Sequence, residues 1–151
     1  MNLLDRVEAV RSVGDPAGLA EIVPFARHLG VTLDLREGRV VTRLPHRRAH
    51  LGNPALPALH GGVVGAFLDL AATFQLWWSM ESLAIPRSVS LTVDYLRSAG
   101  PLESFAAGEV TRLGRRVANV TVEAWQDDPA RPVARAHAHF LISPTARRVR
   151  S

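Results

Sequence analysis

A single carboxylate lies inside an otherwise uncharged apolar segment of the chain. The segment covers residues 61–80, GGVVGAFLDLAATFQLWWSM, and Asp69 is its only charged residue. Burying a carboxylate is costly unless the group is hydrogen-bonded, paired or protonated. Because perturbed carboxylates concentrate in active sites, Asp69 is a candidate catalytic residue. The alternative is a structural Asp that a nearby hydroxyl or backbone amide holds in place.

Two glycines, Gly61 and Gly62, open the same segment. Glycines at this position leave the backbone N–H groups unobstructed and allow a ligand to approach closely. The first turn of a helix also has unpaired N–H donors and the positive end of the helix dipole. The helix start is therefore a candidate site for holding a developing oxyanion.

The spacing of these two groups suggests that they act across two subunits. Gly61 and Asp69 are eight residues apart, which is about 12 Å along a helix axis. Side chains lean toward the helix N-terminus, but this shortens the distance only partly. Both groups must lie within about 3–4 Å of one carbonyl carbon to act on it. We therefore predict that Gly61 of one subunit faces Asp69 of a two-fold mate, at a dimer interface.

The hydrophobic pattern before this helix predicts several short elements. They are two helices, two strands and an irregular, proline-rich loop, over residues 2–12, 17–27, 31–36, 39–44 and 45–60. The second helix is expected to end near Gly30, because glycine commonly terminates helices. The strands alternate around Glu37-Gly38, which is the signal of a β-hairpin.

After the helix the hydrophobic period changes from 3.6 to 2, which predicts strands. Four are expected, over residues 87–97, 103–113, 116–126 and 132–142. Their connections are too short for parallel crossovers and favour an antiparallel meander. The last two strands have one small, apolar face, formed by Ala118, Val120, Val122, Ala124, Ala134, Ala136, Ala138 and Phe140. We predict an α+β fold in which a long, curved antiparallel sheet wraps around one central helix.

Length and composition agree with one domain over residues 1–151. We expect a core over about 20–142, an N-terminal helical segment over 1–19 and a flexible tail over 143–151. Cysteine is absent, which excludes disulfides, thiolate metal sites and a cysteine nucleophile. This composition is compatible with a cytoplasmic protein, and the N-terminus shows no secretion signal.

The charge pattern gives little support for a nucleic-acid or membrane partner. All 18 basic residues are Arg, the net charge is +4, and the arginines are scattered instead of forming a dense stripe beside a reading helix. The apolar segment over 61–80 contains Asp69 and begins with two glycines, which fits a helix buried in protein better than a membrane span. We expect neither nucleic-acid binding nor a membrane partner.

The sequence HGGVVGAFLDLAA resembles the HGG-x(6)-D helix of PaaI-like (phenylacetate-pathway type) hotdog-fold acyl-CoA thioesterases. PFARHLGVTLDLREGRVVTRLP is similar to that family's first strands, and SVSLTVDYLRSAG to its strand after the helix. LGRRVANVTVEAWQDDPARPVARAHAHFLI is similar to its closing hairpin, so the resemblance covers roughly residues 20–142. It implies a hotdog fold, hydrolysis of a thioester to a carboxylic acid and free CoA, and a homodimer that often pairs into a homotetramer. It implies no metal and no cofactor, with coenzyme A entering only as part of the substrate.

Four catalytic roles follow from the resemblance. Asp69 would be the general base or nucleophile, the Gly61 amide would donate to the thioester oxygen, and Ser88 would help to hold the water. Asn53 would orient the thioester or the water. However, Asn53 lies seven residues before His60 instead of six, and Pro57 replaces the family's Gly. A turn-forming Asn is the alternative for Asn53.

Other side chains are candidates for contacting substrate. His60 and Gly62 would do so at the helix start, where His60 could instead cap the loop, and Arg115 and Arg116 would meet the CoA phosphates unless they are simply solvated. His137 and His139 are expected to be surface or interface residues. Trp77 and Trp78 are expected to be core residues, one of which could line the acyl pocket.

The alternative function is a non-catalytic hotdog module that binds acyl-CoA or serves in assembly. A hydratase has less support, because no His pairs with an acidic residue in the motif of such enzymes.

Overall fold

A computed structural model describes residues 1–53 and 55–143. The predicted flexible tail over 143–151 lies outside these residues, except for Ser143. The helices are α1 (Leu3–Val13), α2 (Leu19–Ile22), α3 (Pro24–Leu29) and α4 (Gly61–Ser79). The strands are β1 (Thr32–Arg36), β2 (Arg39–Leu44), β3 (Leu51–Asn53), β4 (Leu56–Leu59), β5 (Ile85–Tyr95), β6 (Ser104–Leu113), β7 (Val117–Trp125) and β8 (Ala134–Ser143).

The N-terminal helices differ from the prediction in one respect. The single helix expected over 17–27 is divided into a 3-10 turn, α2 and α3. Val23 has an extended backbone, and Pro24 then begins α3; proline fits a first helical position but interrupts a continuous helix. Gly30 ends α3 in the left-handed conformation, with φ of 76°, which confirms the predicted end.

Six strands form one antiparallel sheet in the order β1-β2-β6-β7-β8-β5. The hairpin predicted around Glu37-Gly38 is confirmed, with Arg36 opposite Arg39. Glu37 and Gly38 have φ of 51° and 77°, as a two-residue hairpin turn matched to the twist of the strands requires.

The predicted meander is wrong at one connection. β5 pairs with β8 and not with β6, although only residues 96–103 separate β5 from β6. Three strand spacings amount to about 14 Å, and eight extended residues can span about 26 Å. The short segment can therefore cross the end of the curved sheet.

The loop predicted over 45–60 is more ordered than expected. A 3-10 turn at Arg48–His50 precedes the two-stranded pair β3-β4. The pairing is short and shifts register around Asn53, which is consistent with a proline-rich segment that has few N–H donors. This pair leads the chain directly to the start of α4.

Helix α4 packs against the concave face of the sheet. The predicted small, apolar face of β7 and β8 is buried, from Ala118 to Phe140, and lets the bulky side chains of α4 approach the sheet closely. Trp77 is buried and its Nε1 donates to the Ala84 carbonyl at 3.2 Å, while Trp78 is partly buried against the core. The result is the predicted α+β hotdog architecture, with one long helix inside a curved antiparallel sheet.

Candidate active site

The first turn of α4 leaves one amide open at its N-terminal end. The Val63 and Val64 amides both donate to the His60 carbonyl, and the Gly62 amide donates to His60 Nδ1 at 2.9 Å. The Gly61 amide makes no hydrogen bond within the described part of the chain. Of the two predicted amides, Gly61 thus remains available to a ligand and Gly62 is engaged.

His60 serves as the N-terminal cap of α4, which was the structural alternative for this residue. Its own backbone is fixed from the preceding loop, because the His60 amide donates to the His50 carbonyl at 2.9 Å. His50 is buried, and this burial is the main reason that its pKa is lowered. A neutral His50 ring fits the packed loop that supports the helix start.

His60→Ala should destabilise the fold through the loss of this cap. We expect the free energy of unfolding to fall by about 1 kcal/mol, the usual cost of replacing a capping side chain with alanine. His60→Asn is the matched control, because asparagine is a favourable capping residue and should restore most of the loss. Urea unfolding of both variants tests this. Equal stability of His60→Ala and the wild-type protein would contradict a capping role.

Asp69 lies at the middle of α4 and is partly buried. Its Oδ1 atom is inaccessible to solvent and has no hydrogen-bond partner among the described residues. Burial raises the pKa of Asp69, while the nearby Ser88 side chain lowers it by a smaller amount. The carboxylate therefore has a perturbed pKa and an unsatisfied oxygen, as the sequence predicted for a residue in this segment.

A β-bulge directs Ser88 toward Asp69. The pairing of β5 with β8 shifts between Ser88 and Ser90, so Val89 is the extra residue of β5. Ser88 lies opposite Phe140, whose side chain is buried in the core. Since directly paired residues share a sheet face, Ser88 points toward the helix. Without the bulge, strict alternation would place Val89 there instead.

The structure places Asn53 in a turn. Asn53 is exposed, and its Oδ1 accepts a hydrogen bond from the Ala55 amide at 2.9 Å. This is the contact expected of the turn-forming alternative. The catalytic role of Asn53 stays a prediction.

Tyr95, which the sequence did not single out, contacts the helix start. Its hydroxyl donates a hydrogen bond of 2.7 Å to the Gly61 carbonyl. Tyr95 and Gly61 also line a cleft of about 380 Å³, whose walls combine apolar side chains with Arg97 and Ser98. The protein has only one tyrosine, but no local pattern shows that it meets a residue 34 positions away.

Arg115 and Arg116 lie at the opposite end of α4 from Gly61. They are exposed in the turn between β6 and β7 and line a cleft of about 870 Å³. The same cleft is lined by Ser79 and by the residues that follow α4. Within one protomer, these arginines and Gly61 are separated by the length of the helix, which is about 27 Å.

His139, one of the two histidines on β8, contacts a side chain of the neighbouring strand. His139 Nδ1 lies 2.8 Å from Asn119 Oδ1 on the exposed sheet face. No group of three or more potential ligands capable of holding a metal ion occurs within residues 1–53 and 55–143. None of the helices in these ranges combines the length and apolar character needed to cross a membrane.

Comparisons with known proteins agree with the fold. The family model described as the thioesterase superfamily matches residues 56–133. The medium/long-chain acyl-CoA thioesterase YigI of Salmonella typhimurium is 29% identical over 135 residues, covering 80% of this chain and 86% of its own. A protein of Chromobacterium violaceum with a known crystal structure is 38% identical, with a TM-score of 0.74 and coverage of 93% and 98% of the two chains.

A phenylacetic acid degradation-related protein of Ralstonia eutropha JMP134 is also similar in structure. It is 28% identical, with a TM-score of 0.69, and the match covers 79% of this chain and 90% of that chain. The chain belongs to the thioesterase superfamily, and its resemblance to the PaaI-like hotdog enzymes is confirmed. It is a thioester hydrolase.

Proposed function

We propose that this protein hydrolyses acyl-CoA thioesters to a carboxylic acid and free CoA, with Asp69 as general base or nucleophile. The observation that carries the proposal is the partly buried Asp69 carboxylate, with a raised pKa and an unpartnered oxygen, on a helix whose first amide is open. The related YigI is a medium/long-chain acyl-CoA thioesterase, which supports CoA as the thiol of the substrate.

The proposed chemistry needs one proton acceptor and one oxyanion donor. As a base, the Asp69 carboxylate removes a proton from a water that Ser88 helps to hold, and the water oxygen attacks the thioester carbon. As a nucleophile, the carboxylate itself attacks, and water then hydrolyses the acyl intermediate. In both cases the Gly61 amide stabilises the negative charge on the former carbonyl oxygen. Cleavage of the C–S bond releases CoA as the thiolate, which takes up a proton.

These groups must come from two subunits to reach one carbonyl carbon. Gly61 and Asp69 are about 12 Å apart along α4, which is too far for both to act within one protomer. Strand β5 ends the sheet and has no strand on its outer side among the described residues, and an unpaired edge of 11 residues is a ready surface for pairing with another chain. We infer a homodimer, able to pair further into a homotetramer, in which antiparallel α4 helices bring Gly61 of one subunit to Asp69 of the other.

The arrangement also suggests where the CoA phosphates bind. In such a dimer, Gly61 of one subunit lies level with Asp69 of the other, and the helix bearing Asp69 continues for about 15 Å to Ser79. Arg115 and Arg116 line the cleft at that end. An extended thiol arm running from the thioester to these arginines would place its phosphates beside them, where guanidinium groups recognise phosphate well. His60 and Gly62 would then contact substrate only at the start of α4. The hydrogen bond from the Gly62 amide to His60 Nδ1 leaves their other atoms free for such a contact.

The proposed reaction requires no metal or cofactor, because a carboxylate and an amide supply both the proton transfer and the charge stabilisation. Chelation followed by gel filtration should therefore leave hydrolysis unchanged. A cytoplasmic location also remains a prediction, drawn from the absence of cysteine.

A panel of acyl-CoA esters with detection of the free thiol tests the activity. The panel should include aromatic, short-chain and medium- to long-chain acyl groups, and at least one should be hydrolysed with release of one CoA per acid formed. The alternative, a binding module without turnover, is motivated by the turn conformation of Asn53. Tight binding of an acyl-CoA with no release of thiol would support that alternative and refute hydrolysis.

A further inference from the structure

The first turn of α4 is intrinsically its weakest part. Gly61, Gly62 and Gly65 all lie within its first five residues, and each glycine lowers helix stability relative to alanine, since it has more backbone freedom to lose. The proposed oxyanion donor thus belongs to a flexible piece of backbone. Its peptide is held on one side by the Val63 and Val64 amides at the His60 carbonyl, and contacts on the other side of Gly61 complete its orientation.

Two side chains hold the peptide group that follows the donor. Its carbonyl, from Gly61, accepts the 2.7 Å hydrogen bond of the Tyr95 hydroxyl, and its N–H, from Gly62, donates to His60 Nδ1 at 2.9 Å. A trans peptide is planar, with its carbonyl and N–H on opposite sides. Contacts at both ends therefore fix the orientation of the whole plane.

Tyr95 lies against two of these glycines. A Cβ atom on Gly61 would lie 3.4 Å from the Tyr95 hydroxyl oxygen and 3.6 Å from two ring carbons. A Cβ atom on Gly65, one turn later, would lie 3.8 Å from the same oxygen. The end of the tyrosine ring therefore lies against a glycine-lined surface of the helix, at ordinary van der Waals distance from where a Cβ atom would be.

We propose that Tyr95 is a positioning residue for the oxyanion donor: its hydroxyl, through the Gly61 carbonyl, fixes the backbone on which the Gly61 amide points at the thioester oxygen. This inference rests on the proposed hydrolysis of acyl-CoA. The Gly61 N–H shares its peptide plane with the His60 carbonyl, which the Val63 and Val64 amides already hold. Loss of the hydroxyl removes the contact on the other side of Gly61 and leaves the donor less firmly oriented. Since transition-state stabilisation depends on preorganised donors, the turnover rate should suffer more than substrate binding.

Tyr95→Phe removes only the hydroxyl and tests this role. With the best substrate of the panel, we expect kcat to fall about tenfold, the scale of a small misplacement in a site, with KM changed less than about twofold. The fall of activity at low pH should stay at the same pH, because Asp69 is untouched. Thr111→Val is the matched control: Thr111 is exposed and its hydroxyl also donates to a backbone carbonyl, that of Asn119.

Hydrogen–deuterium exchange at the Gly62 amide adds a readout that does not depend on turnover. This amide is hydrogen-bonded to His60 Nδ1 and should exchange faster in Tyr95→Phe than in Thr111→Val. Unchanged exchange together with a kcat within twofold of the control would overturn the proposal, as would a raised KM at constant kcat, which would place Tyr95 in direct contact with substrate. If the wild-type protein releases no thiol, the proposed function fails, and the exchange measurement alone decides whether Tyr95 fixes this peptide.

Discussion

Asp69→Asn should reduce acyl-CoA hydrolysis by about 10²–10⁴-fold, the range that a general base contributes. The amide has nearly the shape of the carboxylate but neither accepts a proton from water nor attacks a thioester. The loss should appear in kcat, because Asp69 is proposed to act on the reacting carbon and not to anchor CoA. Measuring kcat and KM by thiol release, with acyl-CoA in excess, tests this expectation.

The same substitution should leave the fold at least as stable at neutral pH. Burial raises the pKa of Asp69 in the folded state, so the protonated form is the one that folding favours. Its stabilising contribution is complete below the unfolded-state pKa and is lost as the pH rises through the folded-state pKa. At neutral pH the ionised carboxylate opposes folding, and replacing it with an amide removes that cost. A thermal midpoint equal to or above that of the wild-type protein is therefore expected.

The pH dependence of the wild-type enzyme provides a second check on Asp69. A base must be ionised to act, so kcat/KM should fall as the pH decreases through the pKa of Asp69. Because that pKa is raised, the fall should begin at a higher pH than for an ordinary aspartate. Asp127→Asn, which alters an exposed carboxylate in the β7–β8 turn, should keep both the activity and the profile. Near-wild-type turnover by Asp69→Asn would remove this residue from the mechanism.

Much of the fold could be predicted because periodic patterns report local structure. The change from period 3.6 to period 2 after α4 gave strand bounds within two residues of β5, β6, β7 and β8. The pairing of β5 with β8 could not be predicted in this way, because hydrophobic alternation shows which face a strand buries and not which neighbour it has. The eight residues between β5 and β6 are long enough for β5 to pair with either β6 or β8.

The candidate site was predictable in its types of residue but not in its geometry. An uncompensated charge in an apolar helix is visible in any sequence, and this identified Asp69. The bulge at Val89 inserts one residue and reverses the alternation, so Ser88 faces the helix against the simple pattern; only the family resemblance placed it there. Tyr95 meets Gly61 through a tertiary contact that carries no local signal.

Gly61→Pro should reduce kcat by about 10²–10³-fold, the usual effect of removing one oxyanion donor. Proline deletes the amide hydrogen and is well suited to this position, since Gly61 is the first residue of α4 and proline is favoured there. His60 before it has φ of −61° and ψ of 132°, within the range that a residue preceding proline adopts. The backbone is thus already compatible with the substitution.

Gly61→Ala is the matched control for this experiment. It adds a Cβ atom in the same place, 3.4 Å from the Tyr95 hydroxyl, but keeps the N–H. We expect Gly61→Ala to lose at most about tenfold, the scale of a small displacement. Equal losses in the two variants would show that crowding against Tyr95 matters and would contradict the oxyanion role of the amide.

Mixing two inactive variants then tests whether the site is shared between subunits. In a dimer of Asp69→Asn with Gly61→Pro, one site combines both substitutions, and the other combines an intact Asp69 with an intact Gly61 from the partner subunit. Co-expression in equal amounts should restore about a quarter of wild-type activity, because half of the random dimers are mixed and each has one complete site of two. If each protomer used its own Asp69 and Gly61, no complete site could form and no activity would return. The recovered activity therefore distinguishes a shared site from two independent ones, even though each variant alone is inactive.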